Sequence, residues 1–166
     1  KLKNIEQSVE QTIFNYDELF GTIVNRFITQ AVVGYPLTVY GKGGQTRGYL
    51  NIKDTLQCVF VAAKNPATKG QLNIFNQIME TFSANQLAEM TKEAGDRLGY
   101  NVQIKNIDNP RKELEEHYYN PAYQGLINLG VKPNYLTPEV MDSMFRLVEK
   151  YKGNIRKETI FRGVKW

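Results

Sequence analysis

One cysteine and one histidine in 166 residues, Cys58 and His117, leave little material for several kinds of chemistry. A lone cysteine closes no internal disulfide, and without a recognisable secretory leader the chain is expected in a reducing compartment, the cytoplasm. With one histidine, and with Cys58 on the apolar side of a helical pattern, neither a metal cluster nor a cysteine–histidine nucleophile assembles. No apolar run approaches the roughly 20 residues that span a bilayer, so no membrane segment is expected. Nor does one sign of charge dominate: 21 Lys and Arg are interleaved with 17 Asp and Glu, and no basic block emerges that would suit nucleic acid. Internal repeats and low-complexity stretches are also absent. Lys1 in place of methionine suggests a start partway through a longer protein.

What remains is enough for a core. Hydrophobic residues make up 42% of the chain, with 10 Tyr and 8 Phe, and the length suits one domain or part of a larger one. Leu19, Phe20, Ile23, Val24, Phe27, Ile28, Ala31 and Val32 recur at helical spacing, with Gly34 as the stop. Thr22, Asn25, Arg26 and Thr29 flank that stripe, on a surface that faces either a ligand or water. Leu37–Tyr40 and Thr46–Ile52 read as strands. Asp54 is expected to cap a helix through Lys64 that buries Leu56, Val59, Phe60 and Ala63, stopped by Asn65-Pro66. A short strand follows at Leu72–Phe75. Ser83 and Gln86 form a capping box for a helix carrying Leu87, Met90, Ala94 and Leu98. Val102–Ile107 alternates as a strand, Pro121 opens a short helix to Leu129, and Thr137-Pro138 starts another that buries Val140, Met141, Met144, Leu147, Val148 and Tyr151. The alternation marks an α/β fold.

The segment from Pro36 to Asp54 is the most informative. Gly41, Gly43 and Gly44 lie between its two strand-like runs, permitting positive φ and close backbone approach, and Arg47 follows with a planar fork matched to phosphate oxygens. The pattern predicts a hairpin that either meets a phosphate-bearing ligand or is only a solvated turn. It is not a dinucleotide fingerprint. Gly41, Gly44 and Gly48 have the wrong spacing, and a strand rather than a helix follows them. Tyr49 and Lys53 have the spacing of a short-chain dehydrogenase catalytic pair, but on a strand they would lie roughly 13 Å apart, so the match is read as coincidence. Residues Asn109–Asn120 concentrate polar and aromatic side chains in a loop; Glu113, Glu115 and Glu116 there suit either acid–base work or a solvated surface.

Several runs, taken in order, closely resemble the C-terminal half of UDP-sulfoquinovose synthases, extended short-chain dehydrogenases of the nucleotide-sugar family. They are Leu19-Phe20-Gly21-Thr22, Asn25-Arg26-Phe27, the stretch from Gly34 to Leu50 with its Gly43-Gly44-Gln45-Thr46-Arg47-Gly48, Phe75-Asn76-Gln77, Phe82-Ser83-Ala84-Asn85, Asn109-Pro110-Arg111, Glu115-Glu116-His117-Tyr118-Tyr119-Asn120 and Val164-Lys165-Trp166. The likeness covers the chain from about Asp17; residues 1–16 match poorly. It implies a single UDP-sugar-binding lobe, residues 1–166, with a few Rossmann edge elements and without the N-terminal Rossmann core. The implied reaction joins sulfite to UDP-glucose, with NAD oxidising and re-reducing C4.

By the same resemblance, NAD and the catalytic threonine, tyrosine and lysine belong to the missing half, so this chain holds no catalytic residue and is expected to be inactive alone. Asn25 and Arg26 would approach the diphosphate and sugar. Thr38, Val39 and Tyr40 would offer main-chain groups to uracil, and Arg47 and Arg111 would converge on the phosphates beside Gln45, Thr46 and Gly48. Glu113 would meet the ribose, and His117 and Tyr118 would line the sugar end. The implied partners are UDP-glucose, sulfite or a sulfite-donating protein, and a second copy in the full enzyme; a plant-like source would place it in the plastid stroma. Another nucleotide-sugar epimerase or dehydratase, and a non-catalytic UDP-sugar-binding module, stay open as alternatives. Surfaces meant to lie under the cofactor domain are expected as apolar patches.

Overall fold

A helix forms where Thr22 caps it by accepting from the Asn25 N–H (3.4 Å), and its apolar residues then recur every three or four positions. In the computed structural model, which describes residues 14–17, 21–109 and 121–160, this helix is α1 (Ile23–Val32). It ends at Gly34, whose φ of +77° lets the Tyr35 N–H reach the Gln30 carbonyl (2.8 Å) and the Gly34 N–H reach that of Ala31 (3.1 Å). After it come strands β1 (Leu37–Tyr40) and β2 (Thr46–Tyr49), helix α2 (Ile52–Lys64), strand β3 (Glu80–Ser83), helix α3 (Ala84–Arg97), strand β4 (Ile104–Ile107), and helices α4 (Gln124–Asn128) and α5 (Pro138–Lys150). The α/β class is as expected. No helix among the described residues is long and apolar enough to cross a membrane.

The main core lies where α1, α3 and α5 meet against β1. Phe27, Ile28, Leu37, Val39, Leu87 and Phe145 are fully or almost fully buried there, each worth roughly 1.5–3 kcal/mol. The capping box of α3 forms as the sequence predicts: Ser83 Oγ accepts from the Gln86 N–H (3.1 Å) while Gln86 Oε1 accepts from the Ser83 N–H (2.8 Å). Thr137 likewise caps α5, with Pro138 in its first turn. The buried face of α5 is Met141, Phe145 and Val148; Phe145 was not expected in it, and Tyr151, which was, is exposed beyond the helix end.

The predicted hairpin does not form. β1 pairs in parallel with β4, Leu37 opposite Ile104 and Tyr40 opposite Ile107, while β2 pairs antiparallel with β3, Thr46 opposite Ser83 and Tyr49 opposite Glu80. The intervening turn explains the divergence. The Gly41 N–H extends the β1–β4 ladder by donating to the Ile107 carbonyl (2.8 Å), after which three successive turn carbonyls are held by other elements. Asn106 Nδ2 donates to Gly41 (2.8 Å), Asn85 Nδ2 to Lys42 (2.9 Å), and the Asn85 N–H to Gly43 (3.0 Å).

Strand β2 stops at Tyr49, short of the expected Ile52, because Asn51 rather than Asp54 caps α2, accepting from the Lys53 N–H at 3.0 Å. Asp54 is buried one turn later. It accepts from Gln57 Nε2 (2.9 Å) and from both the main chain (2.8 Å) and side chain (2.5 Å) of Asn134, tying α2 to the loop before α5. The stripe assigned to the core of α2 faces outward instead. Leu56 is 67% and Phe60 59% exposed, with Val59 and Ala63 also exposed, and Cys58 is the buried residue, in a smaller cluster with Met79, Leu126 and Val131. Leu72–Phe75 is not a strand: among the described residues its backbone joins no ladder, and Leu72 and Ile74 are 81% and 80% exposed. The strand lies later, at Glu80–Ser83, where the capping box had masked it.

Two outcomes follow from these contacts. Gly43 has φ +71°, and a Cβ there would stand 2.0 Å from Asn85 Oδ1 and 2.5 Å from Val39 Cγ1. Gly43→Ala is expected to lower unfolding stability in urea by about 2 kcal/mol or more, whereas Gly44→Ala, with open space around it, should change it little. Burial, helped by the nearby Asp54 charge, raises the Glu80 carboxyl above its ordinary value, and the Leu136 N–H that it accepts (2.8 Å) opposes this. A raised carboxyl contributes stability while protonated and loses it as pH rises through its folded value. Glu80→Gln, which keeps an acceptor for Leu136, should therefore be more stable than the parent at pH 7, with the difference closing below the carboxylate range.

Candidate functional site

Strand β1 carries the first group of candidate residues. Val39 is fully buried, which leaves only its main chain to contribute, and Thr38 is nearly so. Arg26, on the inner side of α1, is 7% exposed; its Nη2 donates to the Thr38 carbonyl (3.2 Å), and its guanidinium lies 4.9 Å from the Tyr40 ring centroid and 5.6 Å from that of Phe27. A desolvated guanidinium over two aromatic faces is held by cation–π attraction as well as by its hydrogen bond. The sequence put Arg26 on a polar flank of the helix. The structure puts it in the interior, bracing β1.

The second group follows the turn. Gln45 folds back so that Nε2 approaches the Tyr40 carbonyl at 3.4 Å, and Thr46 Oγ1 reaches the Gly44 carbonyl at 3.5 Å. Arg47 is exposed on β2, its Nη1 donating to the Thr46 carbonyl at 2.9 Å, and Gly48 pairs opposite Thr81. Next to it, burial pushes the Tyr49 phenol up, the Arg47 cation opposing, and the Tyr49 ring lies 5.7 Å from that of Phe82. Tyr49 ends a strand and Lys53 sits in the first turn of α2, so the two do not form a helical pair.

The structure thus brings Arg26, Thr38, Tyr40 and Gln45 together by direct contacts, with Thr46, Arg47 and Gly48 continuing from them along β2. Asn25 is turned elsewhere: its Nδ2 donates to the Asn15 carbonyl at 3.1 Å. Arg111, Glu113, His117 and Tyr118, together with Glu115 and Glu116, lie outside the described residues. Three further residues shape the site and were not singled out from the sequence. Asn85 and Asn106 hold the turn, and Gln30, fully buried, pairs with Thr38 on the edge of β1. An amide among the apolar positions of α1 was the only signal for Gln30, while Asn85 stood only in a resembling run and Asn106 only within an expected strand.

Chemically, the arrangement offers an exposed guanidinium on β2 beside a tight turn, equipment for an anion. The glycines from Gly41 to Gly48 lead from strand to strand, not from strand to helix.

No protein-family model matches the chain. It is 49% identical over 153 residues to the chloroplastic UDP-sulfoquinovose synthase of Spinacia oleracea, covering 92% of this chain and 32% of that protein. It is 42% identical over 166 residues to the UDP-sulfoquinovose synthase of Sulfolobus acidocaldarius, covering 97% of this chain and 42% of that one. The chain therefore spans about a third to two fifths of the length of these relatives. In fold it resembles the UDP-glucose 4-epimerase of Thermotoga maritima, solved with UDP-glucose (TM-score 0.64, 21% identity, 80% of this chain and 40% of that one). It also resembles the UDP-glucuronic acid 4-epimerase of Bacillus cereus, solved with UDP-glucuronic acid and NAD (TM-score 0.60, 17% identity, 78% and 40%). The fold is that of part of these nucleotide-sugar epimerases, and over nearly all its residues the chain is similar to the C-terminal part of UDP-sulfoquinovose synthases.

Proposed function

We propose that this chain is the UDP-sugar-binding lobe of an NAD-dependent enzyme that makes UDP-sulfoquinovose from UDP-glucose and sulfite, the sulfite arriving free or from a donor protein. The observation that carries the reading is the 49% identity spread over 92% of the chain. Arg47 is exposed on β2, and its guanidinium is proposed to meet the diphosphate, with the main chain of β1 proposed to meet the base. A guanidinium clamps a phosphate through paired, charge-assisted hydrogen bonds, and anchoring the nucleotide holds the sugar in place for chemistry done elsewhere. Arg111 is proposed as the second phosphate cation, with Glu113 at the ribose and His117 and Tyr118 at the sugar.

NAD and the catalytic groups are assigned to the part of the synthase that this chain does not span, and the lobe alone is proposed to be inactive. Pairing into a homodimer is likewise assigned to the complete enzyme, working in the cytoplasm or, as the name of the spinach relative has it for that protein, in the chloroplast. The docking face for the remainder is proposed to be the exposed apolar side of α2 together with Leu72 and Ile74. Leu56, Val59 and Phe60 lie on one side of α2, and a contiguous apolar surface of this kind marks a contact with another body. The relatives are more than twice as long as this chain, which is why the occupant is assigned to the rest of the synthase.

Calorimetry on a full-length synthase reconstituted around this lobe tests the nucleotide site. Arg47→Ala is expected to weaken UDP-glucose binding at least tenfold, about 1.4 kcal/mol; unchanged affinity would remove Arg47 from the site. For the docking face, Leu56→Asp with Phe60→Asp should weaken capture of the unmatched part of the spinach protein, expressed separately, at least tenfold. Equal capture by parent and variant would place the contact elsewhere.

A further inference from the structure

The loop into α5 runs Val131-Lys132-Pro133-Asn134-Tyr135-Leu136 and joins no ladder among the described residues. Side chains of α2 and β3 stand in for a neighbouring strand, each meeting an alternate residue. The Lys132 N–H donates to Gln57 Oε1 (3.3 Å), and Gln57 Nε2 donates to the Lys132 carbonyl (3.1 Å). The Asn134 N–H donates to Asp54 Oδ2 (2.8 Å) and Asn134 Nδ2 to Asp54 Oδ1 (2.5 Å), and the Leu136 N–H donates to Glu80 Oε2 (2.8 Å). A repeat of two is that of an extended chain showing one edge, and Pro133, in between, has no N–H to leave unmet. Gln57 Nε2 also donates to Asp54 Oδ1 (2.9 Å), so these two residues, three apart on α2, act as a unit.

These contacts govern the placement of α2 more than apolar packing does. Of its 13 residues only Asp54 and Cys58 are buried, and Cys58 lies in the smaller cluster with Val131 rather than in the main core. A helix with one small apolar side chain buried can turn about its axis at little hydrophobic cost. A carboxylate that is 0% exposed and meets three N–H donors holds it against that turn. The clamped segment runs at Thr137 into α5, which packs in the main core, while Glu80 opens β3 opposite Tyr49 of β2. Residues 132–136 thus tie α2 both to the core and to the strand pair that carries Arg47.

We infer that Asp54, Gln57 and Glu80 are positioning residues that clamp residues 132–136 and so fix the rotation of α2 at which Leu56, Val59 and Phe60 face the remainder of the synthase. The inference rests on the docking face proposed above. None of the three is an apolar residue of that face; they act through the loop they hold. Loosening the clamp from its far side, at Asn134, therefore weakens docking although no residue of α2 is altered.

The measurement is amide hydrogen exchange across α2, compared between a full-length synthase reconstituted around this lobe and the chain by itself. Fraying of the helix changes both states, whereas docking changes their ratio. In the parent, joining the remainder is expected to slow exchange at least tenfold. Asn134→Asp sets a second carboxylate against Asp54, and Asp54→Asn leaves one acceptor for two Asn134 donors; each should cut that slowing at least fivefold. The two exchanges together pair amide with carboxylate again and should return it to within threefold of the parent. Should thermal unfolding show that either single variant does not fold, Gln57→Leu, which releases Lys132, carries the test with an expected threefold or larger fall. Folded single variants, Gln57→Leu included, that keep the parental ratio overturn the clamp while the docking face stands, as does a folded double variant no better than the singles. A parent whose α2 exchanges equally fast in both states overturns the docking face, and the clamp with it.

Discussion

A strand with a neighbour on one side only must do something with the hydrogen-bonding groups on its other side, and at Thr38 in β1 that edge is closed to water. An unpartnered N–H or C=O in such a place costs about 1–3 kcal/mol. The solution here is local. Arg26 and Gln30, four residues apart and therefore on one row of α1, meet the Thr38 carbonyl, N–H and hydroxyl together. Phe27 and Ile28, between them in sequence, sit in the core shared with α3 and α5, so the same helix that fills the core also closes the strand. Helix α1 is accordingly buried over most of its circumference.

Much of this was legible in sequence wherever the signal was local. The Gly34 stop of α1, the caps of α3 and α5 and the four residues of β1 follow from side chains within three or four positions of one another. Pairing was not legible. Strands β1 and β2 look like a hairpin because they are close in sequence, but their partners are β4 and β3, and the turn between them is held by Asn85 and Asn106, dozens of residues away. In the candidate site, Arg47 and the turn were readable because their residue types are distinctive. Arg26 was placed on the wrong side of α1 for a physical reason: a guanidinium is usually on the surface, and only the Tyr40 ring and the Thr38 carbonyl, both reached through tertiary packing, make its burial tolerable.

Helix α2 shows a different kind of failure. Its apolar periodicity was read as a stripe packed into the core, yet the residues that face inward are Asp54 and Cys58. Asp54 fixes this orientation. Its carboxylate takes the Asn134 main-chain and side-chain donors, and rotating the helix to bury Leu56 and Phe60 would strand that charge away from them. The apolar stripe and the polar anchor agree only if a second body covers the outer face, which is the arrangement proposed for the rest of the synthase.

That arrangement has a consequence for the site. Arg47 lies on β2, and β2 runs through Tyr49 and the Asn51 cap directly into α2 without an intervening loop. The segment is pinned at its middle, where the Met79 N–H donates to the Tyr49 carbonyl at 3.0 Å, and again at Asp54. A body docking on α2 would therefore press on the element that carries Arg47, while β1 is braced separately by Gln30 and Arg26. On the proposed reading the nucleotide is gripped between a fixed edge and an arm whose position is set by docking, so the lobe would bind most tightly when the remainder of the synthase is in contact with α2.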